Sequence, residues 1–246
     1  MQLMATAHFF FFIIVAILIT VFHWNDLLAT PDYLTSSEQW VPFLALYVAA
    51  FISRVSLIRV SAKGYESVND AFYMVSLFMG QFGVFLLIVL LSIFPAEIII
   101  RYKHIKHYGW YRVSRSILSN LSILIFPGYV AYLVYLLWGQ SNRLVFFLMF
   151  FIFVAINKFL TSVGIRFLDE KFSLKAIVSH FRQSWHLDAA VSAMLGYLLL
   201  ISYFIDARLM LLTVPLFFVV QVFLARFIRN KNLKSILNLS KDDDEN

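Results

Sequence analysis

Apolar runs, each close to the length of a bilayer crossing, follow one another along this chain almost without pause. That succession decides which fold class is open to it. A helix rises about 1.5 Å per residue, so about 20 consecutive apolar residues cross a hydrocarbon core. Such segments lie at Ala5 to Phe22, Trp40 to Leu57, Ser116 to Trp138, Arg143 to Ile165, Asp188 to Ile205 and Leu209 to Phe227. Charged residues make up 14% of the chain and hydrophobic ones 61%, whereas a soluble domain is about a quarter charged. Too little polar surface remains to cover a water-soluble globule. The expectation is an all-α integral membrane protein with one polytopic membrane domain at residues 1–231 and a short charged cytoplasmic tail at 232–246. The first run follows Met1-Gln2-Leu3-Met4 with no basic n-region and no small-x-small cleavage site, so it is expected to be a retained helix and not a removed signal peptide.

The stretch Asp70 to Ile100 poses a choice. As a single helix it would be about 45 Å long, too long for one untilted span, and Gly80-Gln81-Phe82-Gly83 offers a turn midway. The sequence therefore predicts two short helices, Asp70 to Met79 and Val84 to Ile100, forming a hairpin. The first is partly re-entrant and shielded by its neighbours. Charge supports this choice. The 20 Lys and Arg outnumber the 14 Asp and Glu, and in membrane proteins that excess belongs to cytoplasmic loops. With the N-terminus inside and the hairpin crossing twice, the basic loop Arg101 to Arg115 faces the cytoplasm, as does the C-terminus. The acidic loop Trp24 to Gln39 then faces outward. A single span would place the basic loop outside. The total is about eight hydrophobic segments, with a kink expected at Pro127-Gly128. Between the segments Arg143 to Ile165 and Asp188 to Ile205, Leu174, Ile177, Val178, Phe181 and Trp185 share one helical face, and Lys175, His180, Arg182 and His186 complete the turn. Ser173 to Leu187 thus has the pattern of a basic amphipathic helix on the cytoplasmic membrane surface; the alternative is an ordinary helix packed against the bundle.

Polar groups within apolar helices are where chemistry is to be sought, because each is costly in hydrocarbon and needs a partner. Arg54, Glu97, Asn120, Asn157 and Lys158 are the candidate ligand-binding residues. Arg54, near the end of the second helix, is first expected to snorkel to the phosphate level. Glu97 lies four residues before Arg101, the spacing of a simple helical ion pair. A contact between Glu97 and Lys158 is the sharper alternative. Asn120 and Asn157, whose amides both donate and accept, would complete a polar pocket open to the cytoplasm. Ser116, Ser119, Ser122, Thr161 and Ser162 suit contacts between helices. No His-Glu-x-x-His, Gly-x-Ser-x-Gly or phosphate-binding loop occurs, and the absence of cysteine excludes disulfides and thiol catalysis. No catalytic residue, metal ligand or cofactor is assigned. A nucleic-acid partner is not expected, since no compact soluble module carries the positive charge.

Several stretches together have a familiar arrangement. Glu66-Ser67-Val68-Asn69-Asp70-Ala71-Phe72 leads into the hairpin. The basic loop leads to Trp110-Tyr111-Arg112-Val113-Ser114-Arg115-Ser116-Ile117-Leu118-Ser119-Asn120. Val154-Ala155-Ile156-Asn157-Lys158-Phe159-Leu160 follows, and the last helix ends in Arg226-Phe227-Ile228-Arg229. From Trp40 to Leu237 this resembles the multi-helix membrane sensor domains that precede GGDEF or HD-GYP modules in bacterial signalling proteins. Asn120 and Asn157 stand where that pattern has polar residues. Only Asn232 to Asn246 follows here, with no GGDEF sequence and no HD pair. The resemblance thus implies a stand-alone, non-catalytic sensor or partner-binding module of the bacterial cytoplasmic membrane. Its partners would be the lipid bilayer, a protein docked on the basic cytoplasmic face and a small lipophilic ligand. A substrate-binding membrane subunit or carrier of the vitamin-transporter type is the alternative, and a lipid-acting enzyme the second alternative.

Overall fold

A computed structural model describes residues 2–55, 58–59, 65–66, 69–79, 82–139, 144–168, 187–220 and 222–223. Its elements are α1 (Gln2–Phe22), α2 (Trp24–Tyr33), α3 (Ser37–Val55), α4 (Asn69–Phe78), α5 (Phe82–Val134), α6 (Val145–Leu168), α7 (Leu187–Ile205) and α8 (Ala207–Val220). Two-residue strands, β1 (Ile58–Arg59) and β2 (Tyr65–Glu66), pair antiparallel between α3 and α4, with Ile58 opposite Glu66 and Arg59 opposite Tyr65. Among the described residues, three helical stretches are long and apolar enough to cross a membrane: Phe82–Tyr102, Gly109–Trp138 and Val145–Val163. A fourth is added if the bent pair Phe10–Phe22 and Trp24–Tyr33 is one span; Ser192–Ile205 and Ala207–Val220 are shorter apolar helices.

The expected hairpin is present. α4 and α5 are separate helices, the first ending at Phe78 and the second starting at Phe82, and they pack against each other. α4 also packs against α3, α6 and α7, and from Ala71 to Leu77 every side chain is fully buried. Two of its polar side chains are provided for inside the bundle. The Tyr73 and Ser92 hydroxyls are 3.1 Å apart, and Ser76 donates to the Tyr73 carbonyl at 2.6 Å. At its exit, where helix carbonyls lack intrahelical donors, the Tyr33 hydroxyl donates to the Met79 carbonyl at 2.7 Å.

α5 is the spine of the bundle, packed against α1, α2, α3, α4 and α6. Two glycines let its neighbours approach. A Cβ at Gly83 would collide with the Asp26 carbonyl and the Thr30 hydroxyl of α2, and one at Gly128 would fall on the Phe85 ring. Glycine is used at such points because its backbone can be approached closely.

Three expectations need correction. The acidic stretch Trp24 to Gln39 is not an open loop. Trp24–Tyr33 is a helix, bent 53° from α1, and Thr30, which donates to the Asp26 carbonyl at 2.9 Å, buries itself against Gly83. The basic stretch Arg101 to Arg115 is also helical. The chain reverses course within it at Gly109 alone, whose φ of 73° and ψ of 167° lie in a region that glycine enters readily. At Pro127-Gly128 the backbone stays helical, and Gly128 serves packing instead of bending. The surface helix expected at Ser173 to Leu187, with Lys175, Ile177, Phe181, Arg182 and Trp185, lies outside the described residues except for Leu187, as does the tail.

Candidate functional site

Glu97 lies on the first arm of α5, the stretch before Gly109, and is only 1% exposed. A lone carboxylate so enclosed would be strongly disfavoured, and the structure gives it three donors. Arg54, in the last turn of α3, donates from Nη2 to Oε1 at 2.7 Å. Arg101, one turn further along α5, donates from Nε to Oε2 at 2.6 Å. Asn120, on the arm after Gly109, donates from Nδ2 to Oε1 at 2.8 Å.

Each donor arrives for a local reason. Arg54 stands at a helix C-terminus, where a cation is favoured by the helix dipole. Arg101 has the i,i+4 spacing that places side chains over one another on a helix. Asn120 arrives because α5 doubles back. Glu97 and Asn120 stand almost equally far from Gly109 along the chain, so the reversal there brings them level. The three hydrogen bonds therefore tie α3 and both arms of α5 into one knot.

Two guanidinium groups face one carboxylate, so the knot carries one net positive charge. Arg101 is 37% exposed and Arg54 17%. The Arg54 Nε is buried without a hydrogen-bond partner, a donor whose desolvation is not recovered. A carboxylate whose oxygens already accept three hydrogen bonds is placed to hold helices together, not to take a proton from a substrate. Among the described residues, no group of three or more His, Asp or Glu side chains gathers as a metal site.

Of the five candidate residues, the structure brings Arg54, Glu97 and Asn120 together. The snorkelling expected of Arg54 is replaced by an ion pair across helices. Asn157 and Lys158 are half-buried on α6, where the Lys158 carbonyl accepts from Ser162 at 2.7 Å. Glu97 takes its ion pairs from Arg54 and Arg101, so the expected contact with Lys158 is not the one that holds it. The i,i+4 ion pair of Arg101 with Glu97 was expected from the spacing and is present. Its place in a three-element knot had no sequence signal, because the meeting with Arg54 joins residues 43 apart. No protein-family model, curated protein sequence or solved structure matches the chain. What the protein does has to be read from the geometry of this knot and from the pattern of its sequence.

Proposed function

We propose that the chain is a multi-pass protein of the bacterial cytoplasmic membrane, with about eight hydrophobic segments and both termini inside, acting as a non-catalytic sensor or partner-binding module. One observation carries this reading: Glu97 joins Arg54 of α3 to Asn120 across the Gly109 turn. Any ligand that shifts α3 or either arm of α5 acts on that joint. Through it, the ligand acts on the basic stretch Arg101 to Arg115, where a cytoplasmic partner would dock. Such coupling requires two arrangements that bind the ligand unequally. A buried ion pair suits this role, since separating it leaves uncompensated charge and makes intermediate positions costly. The sequence resemblance to membrane sensor domains points the same way.

A carrier of the vitamin-transporter type is the second reading. It is favoured by α4, a ten-residue helix enclosed in the bundle, because short helices ending inside a membrane bundle suit a substrate site. Purification in mild detergent followed by mass spectrometry separates the two. A cytoplasmic signalling protein retained by the wild type and lost from Glu97→Gln supports the sensor. Co-purifying ATPases with a coupling membrane subunit support the carrier and sink the sensor. The topology is tested by single cysteines at the exposed Ser36 and Ser114. An impermeant maleimide should label Ser36→Cys in intact cells and Ser114→Cys only after lysis; the reverse pattern overturns the orientation.

A further inference from the structure

Along the first arm of α5, about 22 Å from Glu97 by the helix rise, a second polar pair is set among aromatic rings. His23 is the residue at which α1 gives way to α2 and the axis turns by 53°. Its Nδ1 lies 2.6 Å from the Asp26 Oδ2. The ring packs against Phe22 of α1 at 5.1 Å between centroids and Phe82 of α5 at 4.7 Å. Tyr129 and Tyr132, from the second arm of α5, stand at 5.5 and 6.0 Å. A carboxylate only accepts, so Nδ1 carries a proton, and in the neutral ring Nε2 keeps a lone pair. That Nε2 is buried and has no hydrogen-bond partner, whereas the Asp26 side chain is 51% exposed.

We propose that His23 and Asp26 form a proton-responsive joint, in which uptake of a proton from solvent at Nε2 loosens α2 from α5. The titratable groups facing the imidazole are Asp26 from α2 and Tyr129 and Tyr132 from the second arm of α5. Among the described residues, α1 and the start of α5 place the Phe22 and Phe82 rings against it. Imidazole is the side chain that ordinarily changes charge within the pH range of living surroundings. Neutral, its Nε2 lone pair has no hydrogen-bond partner. Charged, Nε2 becomes an N–H with no acceptor within hydrogen-bond distance in this arrangement, while the bond to Asp26 strengthens into an ion pair. Both changes draw the ring toward half-exposed Asp26 and toward water. Thr30 hydrogen-bonds the Asp26 carbonyl and is enclosed against Gly83, so movement of the first turn of α2 opens that contact. The joint stands on this geometry, independently of the sensor reading.

The chain has no cysteine, so one introduced thiol reports alone. Thr30→Cys, in the full-length protein in vesicles, is compared with the exposed control Ser36→Cys using a thiosulfonate reagent. The labelling ratio of Thr30→Cys to Ser36→Cys should rise about fivefold between about pH 7.5 and about pH 5.5. With His23→Gln in the same background the ratio should stay flat. A flat ratio with His23 present, or an equal rise with His23→Gln, overturns the joint. Should His23→Gln fail to fold, Asp26→Asn keeps the imidazole and removes the carboxylate it is bonded to. The rise should fall to less than about half, and an unchanged rise also overturns the proposal.

Discussion

α1 and α4 invert the rule familiar from soluble proteins. α1 is a nearly unbroken apolar run, yet Phe11, Ile14, Leu18, Val21 and Phe22 form an exposed stripe along it, while Ile13, Ala16 and Ile19 face inward. α4 contains Asn69, Asp70, Tyr73 and Ser76 among its ten residues, and it is the enclosed core of the bundle. In water the more apolar helix would be the buried one. Where the surroundings are hydrocarbon, burial no longer follows from apolarity, and polar residues are safest where other helices supply their partners. The hydroxyl pair Tyr73–Ser92 and the Tyr33 bond to Met79 are such partners.

The largest effect should come from emptying the core around α4. Phe72 is fully buried against Phe217, and Phe72→Ala should lower stability by about 3–5 kcal/mol through lost packing and a cavity. Phe11→Ala on the exposed stripe of α1 should stay within about 0.5 kcal/mol. Thermal unfolding of both variants in mild detergent checks the contrast, and equal losses would break the comparison. Next comes Glu97→Gln, which leaves Arg54 and Arg101 facing a neutral amide; a loss of about 3 kcal/mol is expected. Combined with Arg54→Met it should cost less than the two single changes added together, because the second removes a charge the first has stranded. Strict additivity would show that the ion pair contributes nothing. The smallest effect is Tyr33→Phe, which keeps the ring and removes one donor at the exit of α4. About 1 kcal/mol is expected, together with faster hydrogen exchange at the start of α5. Unchanged exchange there would mean that this end of α4 is held by something other than Tyr33.

Much of the architecture was legible because it depends on local pattern. The hairpin followed from a stretch too long for one span with glycines midway; α4 and the start of α5 fall within two residues of expectation, whereas α5 stays helical past Ile100 to the turn at Gly109. Helices α6 and α7 likewise fall within a few residues of their apolar runs. Two segments taken for loops were misjudged for the same reason. Polar and charged residues between apolar runs suggest solvent, but Trp24–Tyr33 and the residues on either side of Gly109 form helices all the same. Charge does not prevent helix formation; only the single glycine reversal was needed to turn the chain. Of the site, Arg54, Glu97 and Asn120 were picked out as polar groups in apolar helices. Of the two partners weighed for Glu97, the structure shows the i,i+4 pair with Arg101 and adds Arg54 where Lys158 was the alternative. His23, at the edge of an apolar run, had no distinguishing mark beyond Asp26 three residues later.

The sequence by itself determined the helical class, the division of Asp70 to Ile100 and the short list of polar residues in apolar surroundings. Each of these depends on composition and spacing over a few turns, which local energetics control. Only the tertiary structure decided which face of each helix turns inward, because outward-facing and core-facing positions are equally apolar and hydropathy cannot tell them apart. It also decided which partners meet Glu97. Whether Arg54 or Lys158 reaches it depends on helix rotation and on the angle of the chain at Gly109, and a shift of one residue turns a helix by about 100°, enough to take the carboxylate out of reach of either cation.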